Sequence, residues 1–218
     1  MQKGLHTRYT IYEILKILKN YPVNFEQVFL EKIKYNKFSK SDLKMIQNVV
    51  LNSMRHHLLI NTIIKKFTKN IKFSSNIYYL LLSSITQLIV LDFKEFAVVN
   101  STVELSKDRR IKTSTSLVNG LLRNIIRNKK NILKYKINFN QLPSWFTKKT
   151  SSWNEKKKKK FLRDICDEPN THLVFKNKKI LENLKIPIMK TTAFSGTLKK
   201  SLPINKIPGY KDGSWWIQ

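Results

Sequence analysis

The chain has 218 residues, and 41% of them are hydrophobic, which is enough to build a core in one large domain or two small ones. It carries 42 Lys and Arg against 14 Asp and Glu, a net charge of +28. So one-sided a charge favours a polyanionic partner, a nucleic acid before an anionic membrane surface. A codon bias toward Lys, Ile and Asn would explain Lys in place of Arg but not the scarcity of carboxylates.

Cysteine use and hydropathy bound the location of the protein. Cys166 is the single cysteine, which excludes an internal disulfide and a cysteine zinc cluster and suits a reducing compartment. The first residues lack an apolar signal core. The most apolar segment, residues 77–91, is too short for a bilayer span of about 20 residues. We therefore expect a cytoplasmic protein that does not bind a membrane.

Residues 1–138 predict a compact all-α domain of seven helices. In the first helix, Ile11, Ile14, Leu15 and Leu18 follow the i, i+3, i+4, i+7 spacing of one helix face. The absence of Gly and Pro from residues 23–119 disfavours a sheet with tight turns. The other predicted helices include residues 25–33, a third opened by a capping box at Ser39–Asp42, and residues 58–67, 77–91, 93–106 and 113–128.

Residues 139–218 differ from the preceding part in their sequence pattern, which mixes helix and strand signals, and we place a domain boundary near residue 138. Leu142-Pro143 ends a basic, weakly patterned stretch, and basic residues exceed acidic ones on both sides of the boundary. Pro-Gly and Asp-Gly turns precede Trp215 and predict a terminal strand with no sheet to pair with. We therefore expect a small, incomplete α+β domain at the front of a larger protein. The predicted elements are helices at 143–153, 155–167 and 178–184 and β segments at 172–176, 187–194 and 204–217.

Motifs for catalysis or metal binding are missing. The sequence has no phosphate-binding loop and no Gly-x-Gly-x-x-Gly. His56 and His57 are adjacent on a helix and point to different faces, which makes them a poor metal pair. Cys166 is followed by Asp167 and Glu168, whose charges disfavour a reactive thiolate. We predict no catalytic residue, no metal site and no cofactor in this chain.

The arginines are the best candidates for phosphate contacts, because their planar fork binds phosphate bidentately. Asn119, Arg123 and Arg127 are spaced four apart on one helix face. A solvated helix end favoured by the macrodipole is the equal alternative there. The Lys run at 156–160 is typical of a wet surface, and the tryptophans suit base stacking or, more often, a core. The predicted RNA-binding residues are Arg8, Arg55, Arg109, Arg110, Asn119, Arg123, Arg127, Lys129 and Lys130.

Several segments resemble known families. Thr7-Arg8, Phe-Ala-Val-Val-Asn at 96–100 and Leu-Val-Asn-Gly-Leu-Leu-Arg-Asn-Ile-Ile-Arg at 117–127 resemble NusB-like domains. Leu-Pro-Ser-Trp-Phe at 142–146, Asp-Glu-Pro-Asn-Thr-His-Leu at 167–173 and the final residues 207–218 are similar to the pre-catalytic region of the RsmB (Sun) type of 16S ribosomal RNA cytosine-5 methyltransferase. The second proline and Arg-x-Asn that this family usually has near residues 170–176 are replaced here.

The resemblance implies a mainly α chain: a NusB-like RNA-binding bundle at 1–138, then a linker and partial α+β domain at 139–218. It implies 16S rRNA as the partner. In full-length members of the family, it implies S-adenosylmethionine as the methyl donor. The family's two catalytic cysteines lie in a further domain, and Cys166 matches neither. From the resemblance we expect RNA binding without methyl transfer.

Two alternatives stay open. One is a NusB-like antitermination or adaptor factor that binds RNA together with a ribosomal protein. The other is a decayed or frame-shifted gene product with no independent role.

Overall fold

The computed structural model describes residues 3–68, 71–199 and 202–218. The chain divides into two compact units, residues 1–166 and residues 167–218. Residue 138 lies inside the first unit, and the domain boundary that composition suggests there stays a prediction.

The first unit is helical in the part of the chain that the structure describes. None of the described helices is both long and apolar enough to cross a bilayer. The helices are α1 (Lys3–Asn20), α2 (Phe25–Lys34), α3 (Lys40–Arg55), α4 (His57–Phe67), α5 (Asn76–Ile85), α6 (Glu95–Ser106), α7 (Thr115–Arg127), α8 (Lys129–Ile132), α9 (Ser144–Lys149) and α10 (Glu155–Asp164), with a π-helical turn at Thr86–Val90 and a 3-10 turn at Phe139–Gln141.

Helix α5 is the centre of this unit. Residues 77–85 are all buried, so the helix has no solvent face. A helix that is apolar all round must be enclosed by others, and α5 packs against α1, α3, α4, α6 and α7. The predicted face of α1 points into the same core, where Ile11, Ile14 and Leu15 are buried.

The sequence predicts the start of α3 correctly, but it does not predict the end of α5. The capping box at α3 is confirmed: Asp42 N donates to Ser39 Oγ over 3.2 Å, and Ser39 N donates to Asp42 Oδ2 over 3.1 Å. The predicted helix over 77–91 instead changes at Thr86 into the π-helical turn, where Leu91 N donates to Thr86 O over 3.0 Å.

Buried hydroxyl pairs join α5 and the π-helical turn to their neighbours. Ser84 Oγ lies 2.9 Å from Thr102 Oγ1 on α6, and Ser53 Oγ on α3 lies 2.8 Å from Thr86 Oγ1. Each hydroxyl also donates to or sits near a backbone carbonyl one turn earlier in its own helix. These four buried hydroxyls are thereby satisfied, as burial requires, whereas Gln87 Oε1 in the π-helical turn is buried without a hydrogen-bond partner among the described residues.

Four aromatic side chains, Phe139, Phe146, Trp153 and Phe161, form an aromatic cluster between the 3-10 turn, α9 and α10. Their ring centroids are 5.0–6.4 Å apart. Gln141 Nε2 donates to Thr62 Oγ1 on α4 over 2.9 Å, which ties the segment to the helical core.

The second unit is a four-stranded antiparallel sheet with one helix. Strands β1 (His172–Phe175), β2 (Ile188–Thr192), β3 (Ser195–Leu198) and β4 (Trp215–Ile217) are ordered β2-β3-β1-β4, and helix α11 is Lys178–Asn183. Sequence predicts a single strand at 187–194, whereas the structure has a β2–β3 hairpin. The expectation of a terminal strand without a partner is corrected, because β4 pairs with β1.

A turn held by Gly209 positions β4. Gly209 has a φ of 84°, the left-handed region that favours glycine. Trp215 Nε1 donates to Pro208 O over 2.8 Å, and Trp215 is buried while Trp216 is exposed. Successive residues of a strand point to opposite faces of the sheet, which accounts for this split between the two indoles.

We expect Leu81→Ala, at the fully buried centre of α5, to lower the free energy of unfolding by about 2–5 kcal/mol because it leaves a cavity. Leu51→Ala on the exposed side of α3 is the matched control and should change stability by less than about 0.5 kcal/mol. Urea unfolding measures both, and equal losses would contradict the central role of α5.

We expect Gly209→Ala to destabilise the second unit by about 1–3 kcal/mol, since a Cβ there would lie 2.9 Å from Ser214 Cβ at a positive φ. Gly120→Ala on α7 meets no atom within 4 Å and should instead stabilise its helix by about 0.5–1 kcal/mol. Thermal unfolding of the two variants checks the opposite signs, and a stabilised Gly209 variant would refute the strained turn.

Candidate nucleic-acid interface

Arg8 is partly buried near the start of α1. Its Nη1 donates to Gly4 O over 3.1 Å, and its Nε is buried with no hydrogen-bond partner among the described residues. Burial lowers the pKa of the Arg8 guanidinium from its ordinary value, although arginine stays charged. An anionic oxygen that reached this group would satisfy a donor that the described protein leaves unpaired.

The loop between α6 and α7 places Arg110 against α1, the helix that carries Arg8. Arg110 Cζ lies 3.9 Å from the centroid of the Tyr9 ring, next to Arg8 in α1. Its Nε and Nη2 donate to the two carboxylate oxygens of Asp108 over 2.9 and 2.6 Å. This contact raises the pKa of Arg110 and lowers the pKa of Asp108 to about 2. Arg110 is therefore engaged in holding the loop on α1.

Arg109 stands beside Arg110 but differs from it in environment. It is exposed, and no carboxylate pairs with it among the residues that the structure describes. Arg8, Arg109 and Arg110 form the α1-loop group. Within that group Arg109 is the cation best placed to meet a phosphate.

Helix α7 presents the predicted Asn119–Arg127 face. Arg123 Nε donates to Asn119 Oδ1 over 3.0 Å, which orients the guanidinium. Arg123, Arg127 and the following Lys130 are exposed, and the ion pairs of the described residues include none of them. Asn119, Arg123, Arg127 and Lys130 form the α7 group, which offers open guanidinium donors one helical turn apart.

Lys129 forms ion pairs with residues that are far from it in the sequence. Its Nζ lies 2.6 Å from Asp92 Oδ1 and 3.6 Å from Glu95 Oε1. The hydrogen bond to Asp92 raises the pKa of Lys129. The pair joins α8 to the segment before α6, and Asp92 locally neutralises the charge of Lys129, which makes it a poorer phosphate contact than Lys130.

Arg55 is the last residue of α3, a different element from those that hold the two groups. It is partly buried, and its Nη1 donates to Asn52 Oδ1 over 3.1 Å. The predicted residues thus form an α1-loop group and an α7 group, with Arg55 and Lys129 outside both. Sequence reasoning missed the aromatic support from Tyr9 and the acidic partners of Lys129, since no local spacing signals either contact.

Comparisons with known proteins agree with the helical architecture. A crystal structure of a plectonemic RNA supercoil contains a chain with a TM-score of 0.52 and 24% identity, covering 62% of this chain and 100% of that one. A crystal structure of the antitermination factors NusB and NusE in complex with dsRNA matches with a TM-score of 0.50 and 24% identity, over 58% of this chain and 98% of that one. At these identities the likeness establishes the fold alone.

The sequence matches none of the curated proteins compared with it. The NusB family profile matches residues 7–127, which contain α7 and most of α1. The resemblance inferred from the Thr7-Arg8, 96–100 and 117–127 segments is confirmed for the NusB-like part. Because the match spans more than half of the chain, the protein belongs to the NusB family.

Proposed function

We propose that the NusB-family domain binds RNA through the α7 group and the α1-loop group. The observation that carries the proposal is the pair Arg123 and Arg127: two exposed guanidinium groups one turn apart, without carboxylate partners among the described residues. Arginine forks bind phosphate oxygens with two parallel hydrogen bonds. The chain's net charge of +28 would attract a polyanion to this surface from a distance.

The solved NusB-fold structures support the ligand class. One is a complex of NusB and NusE with dsRNA, and the other is described as an RNA supercoil. The same fold here carries exposed arginines on α7. A solvated helix end remains the competing interpretation of that face, and mutation of the two arginines separates it from RNA binding.

We further propose that the chain is the RNA-binding portion of an rRNA cytosine-5 methyltransferase that acts on 16S rRNA. Support comes from what lies outside the family match. The two NusB-fold structures are covered almost entirely, while 62% and 58% of this chain are aligned, so a large part has no counterpart in them. The family match ends at residue 127, so the second unit lies outside it, and the β4 segment of that unit carries the resemblance to the pre-catalytic region.

The catalytic steps would belong to a domain outside this sequence. In the family that the resemblance indicates, that domain binds S-adenosylmethionine and supplies two cysteines. Cys166 is the single cysteine of this chain and is followed by Asp167 and Glu168, which disfavour a reactive thiolate. The role assigned to this chain is to hold RNA, and S-adenosylmethionine would bind elsewhere.

We expect Arg123→Gln/Arg127→Gln to weaken RNA binding by about tenfold or more, because two charge-assisted phosphate contacts are lost. The slope of log K against log salt for single-stranded RNA should fall by about 1.4. Fluorescence anisotropy with a labelled fragment of 16S rRNA measures both quantities.

Lys40→Gln/Lys44→Gln is the matched control, since these exposed lysines are also four apart on one helix and remove the same charge. It should change affinity by less than about threefold, through the long-range field alone. Equal effects from the two pairs would leave α7 without a special role.

We expect the chain to bind 16S rRNA without transferring a methyl group from labelled S-adenosylmethionine, because the residues that perform the chemistry lie elsewhere. Counting label on rRNA measures this, with Cys166→Ser as control for any signal from that thiol. Turnover that Cys166→Ser abolishes would overturn the division of labour. Capture of a ribosomal protein with RNA would instead favour the antitermination role.

A further inference from the structure

One tryptophan of the first unit is left outside the core. Trp145 on α9 is 62% exposed, whereas Trp153 packs inside the aromatic cluster. The Trp145 ring meets Phe146 edge to face, with centroids 5.6 Å apart and planes at 89°. Phe146 in turn stacks on Phe161 with centroids 5.0 Å apart. The exposed indole therefore packs edge to face against a ring of the aromatic cluster.

Cations share the face of α9 that carries this indole. Lys148 and Lys149 follow Trp145 at i+3 and i+4, so the three side chains lie on one side of the helix. Both lysines are exposed, and neither has a carboxylate partner among the described residues. The face combines a flat aromatic surface with two unpaired positive charges.

The lysine run on α10 is divided by the fold, which the sequence pattern alone did not show. Lys157 Nζ lies 4.4 Å from the centroid of the Trp153 ring, and Lys158 pairs with Glu155 over 3.1 Å. These two lysines cover the aromatic cluster. The other members, Lys156, Lys159 and Lys160, are exposed and follow one helix face with Arg163.

We propose that Trp145, Lys148 and Lys149 form a contact for single-stranded RNA outside the NusB-family region, with the indole stacking on an unpaired base. This deepens the proposed function and rests on it. Base stacking on aromatic side chains, flanked by cations that follow the phosphates, is how sequence-tolerant single-strand sites work. A duplex offers no free base face to this indole.

The charge pattern selects RNA over a protein partner. A protein docking here would have to bring both an apolar surface and several carboxylates to match α9 and α10. A single strand of RNA carries an aromatic face and a negative charge in every nucleotide. The two unpaired lysines on the same helix face as one exposed aromatic ring fit that repeating chemistry.

The experiment compares binding of a labelled 12-nucleotide uridine-rich RNA with binding of a duplex of equal length by the full chain. Trp145→Ala should weaken single-strand binding by about tenfold and leave duplex binding unchanged within about twofold. Trp145→Phe should recover most of the loss and Trp145→Leu should not, because stacking needs a planar ring. The loss should be the same at each salt concentration, whereas Lys148→Gln/Lys149→Gln should reduce the salt slope by about 1.4.

Trp216→Ala is the matched control, since that indole is 51% exposed on β4 in the other unit. Circular dichroism verifies that each variant is folded. RNA binding that Trp145→Ala does not weaken, or that Trp216→Ala weakens equally, would overturn the stacking site and leave the proposed function standing. A wild-type chain that binds neither RNA would overturn both.

Discussion

Enclosure of α5 is the constraint on which the first unit depends. Because residues 77–85 are buried on every side, five other helices must surround them. Two of those helices, α1 and α7, carry Arg8, Arg123 and Arg127, which we assign to RNA. The same packing that removes apolar surface from water therefore fixes the position of each guanidinium at the backbone level. A weakened core would disturb the interface without changing any residue in it.

The distribution of carboxylates explains why cations are left over. Asp42 closes the capping box of α3, Asp108 holds Arg110 on Tyr9, and Asp92 joins α8 to the start of α6. Each of these acidic residues has a structural task close to the backbone. With 42 basic and 14 acidic residues, basic side chains outnumber the carboxylate side chains three to one. The positive surface results from this deficit of acids as much as from the lysines themselves.

Helix positions in the first unit follow from sequence because apolar periodicity and the Ser39 cap are local signals. The π-helical turn at Thr86 is not visible in that way, since it depends on contacts that Ser53 and Phe93 make after folding. The β2–β3 hairpin was missed because a four-residue strand containing Gly196 has little strand character. At the candidate site, exposure of Arg123 agrees with its helix face, but the engagement of Lys129 depends on a partner 37 residues away.

The part of the first unit that follows the NusB-family match contains both the lysine run and the exposed Trp145. The sequence does not show which lysines of the run at 156–160 face the protein. In the structure, Lys157 and Lys158 cover the rings of the aromatic cluster, and the remaining lysines face solvent. Trp145 escapes that cluster although it neighbours Phe146, because consecutive residues of a helix are about 100° apart around the axis. In the functions we propose, the arginine surface on the bundle contacts the RNA backbone and the indole on α9 contacts unpaired bases. A chain with both would discriminate single strands from duplexes, which arginine contacts alone do not.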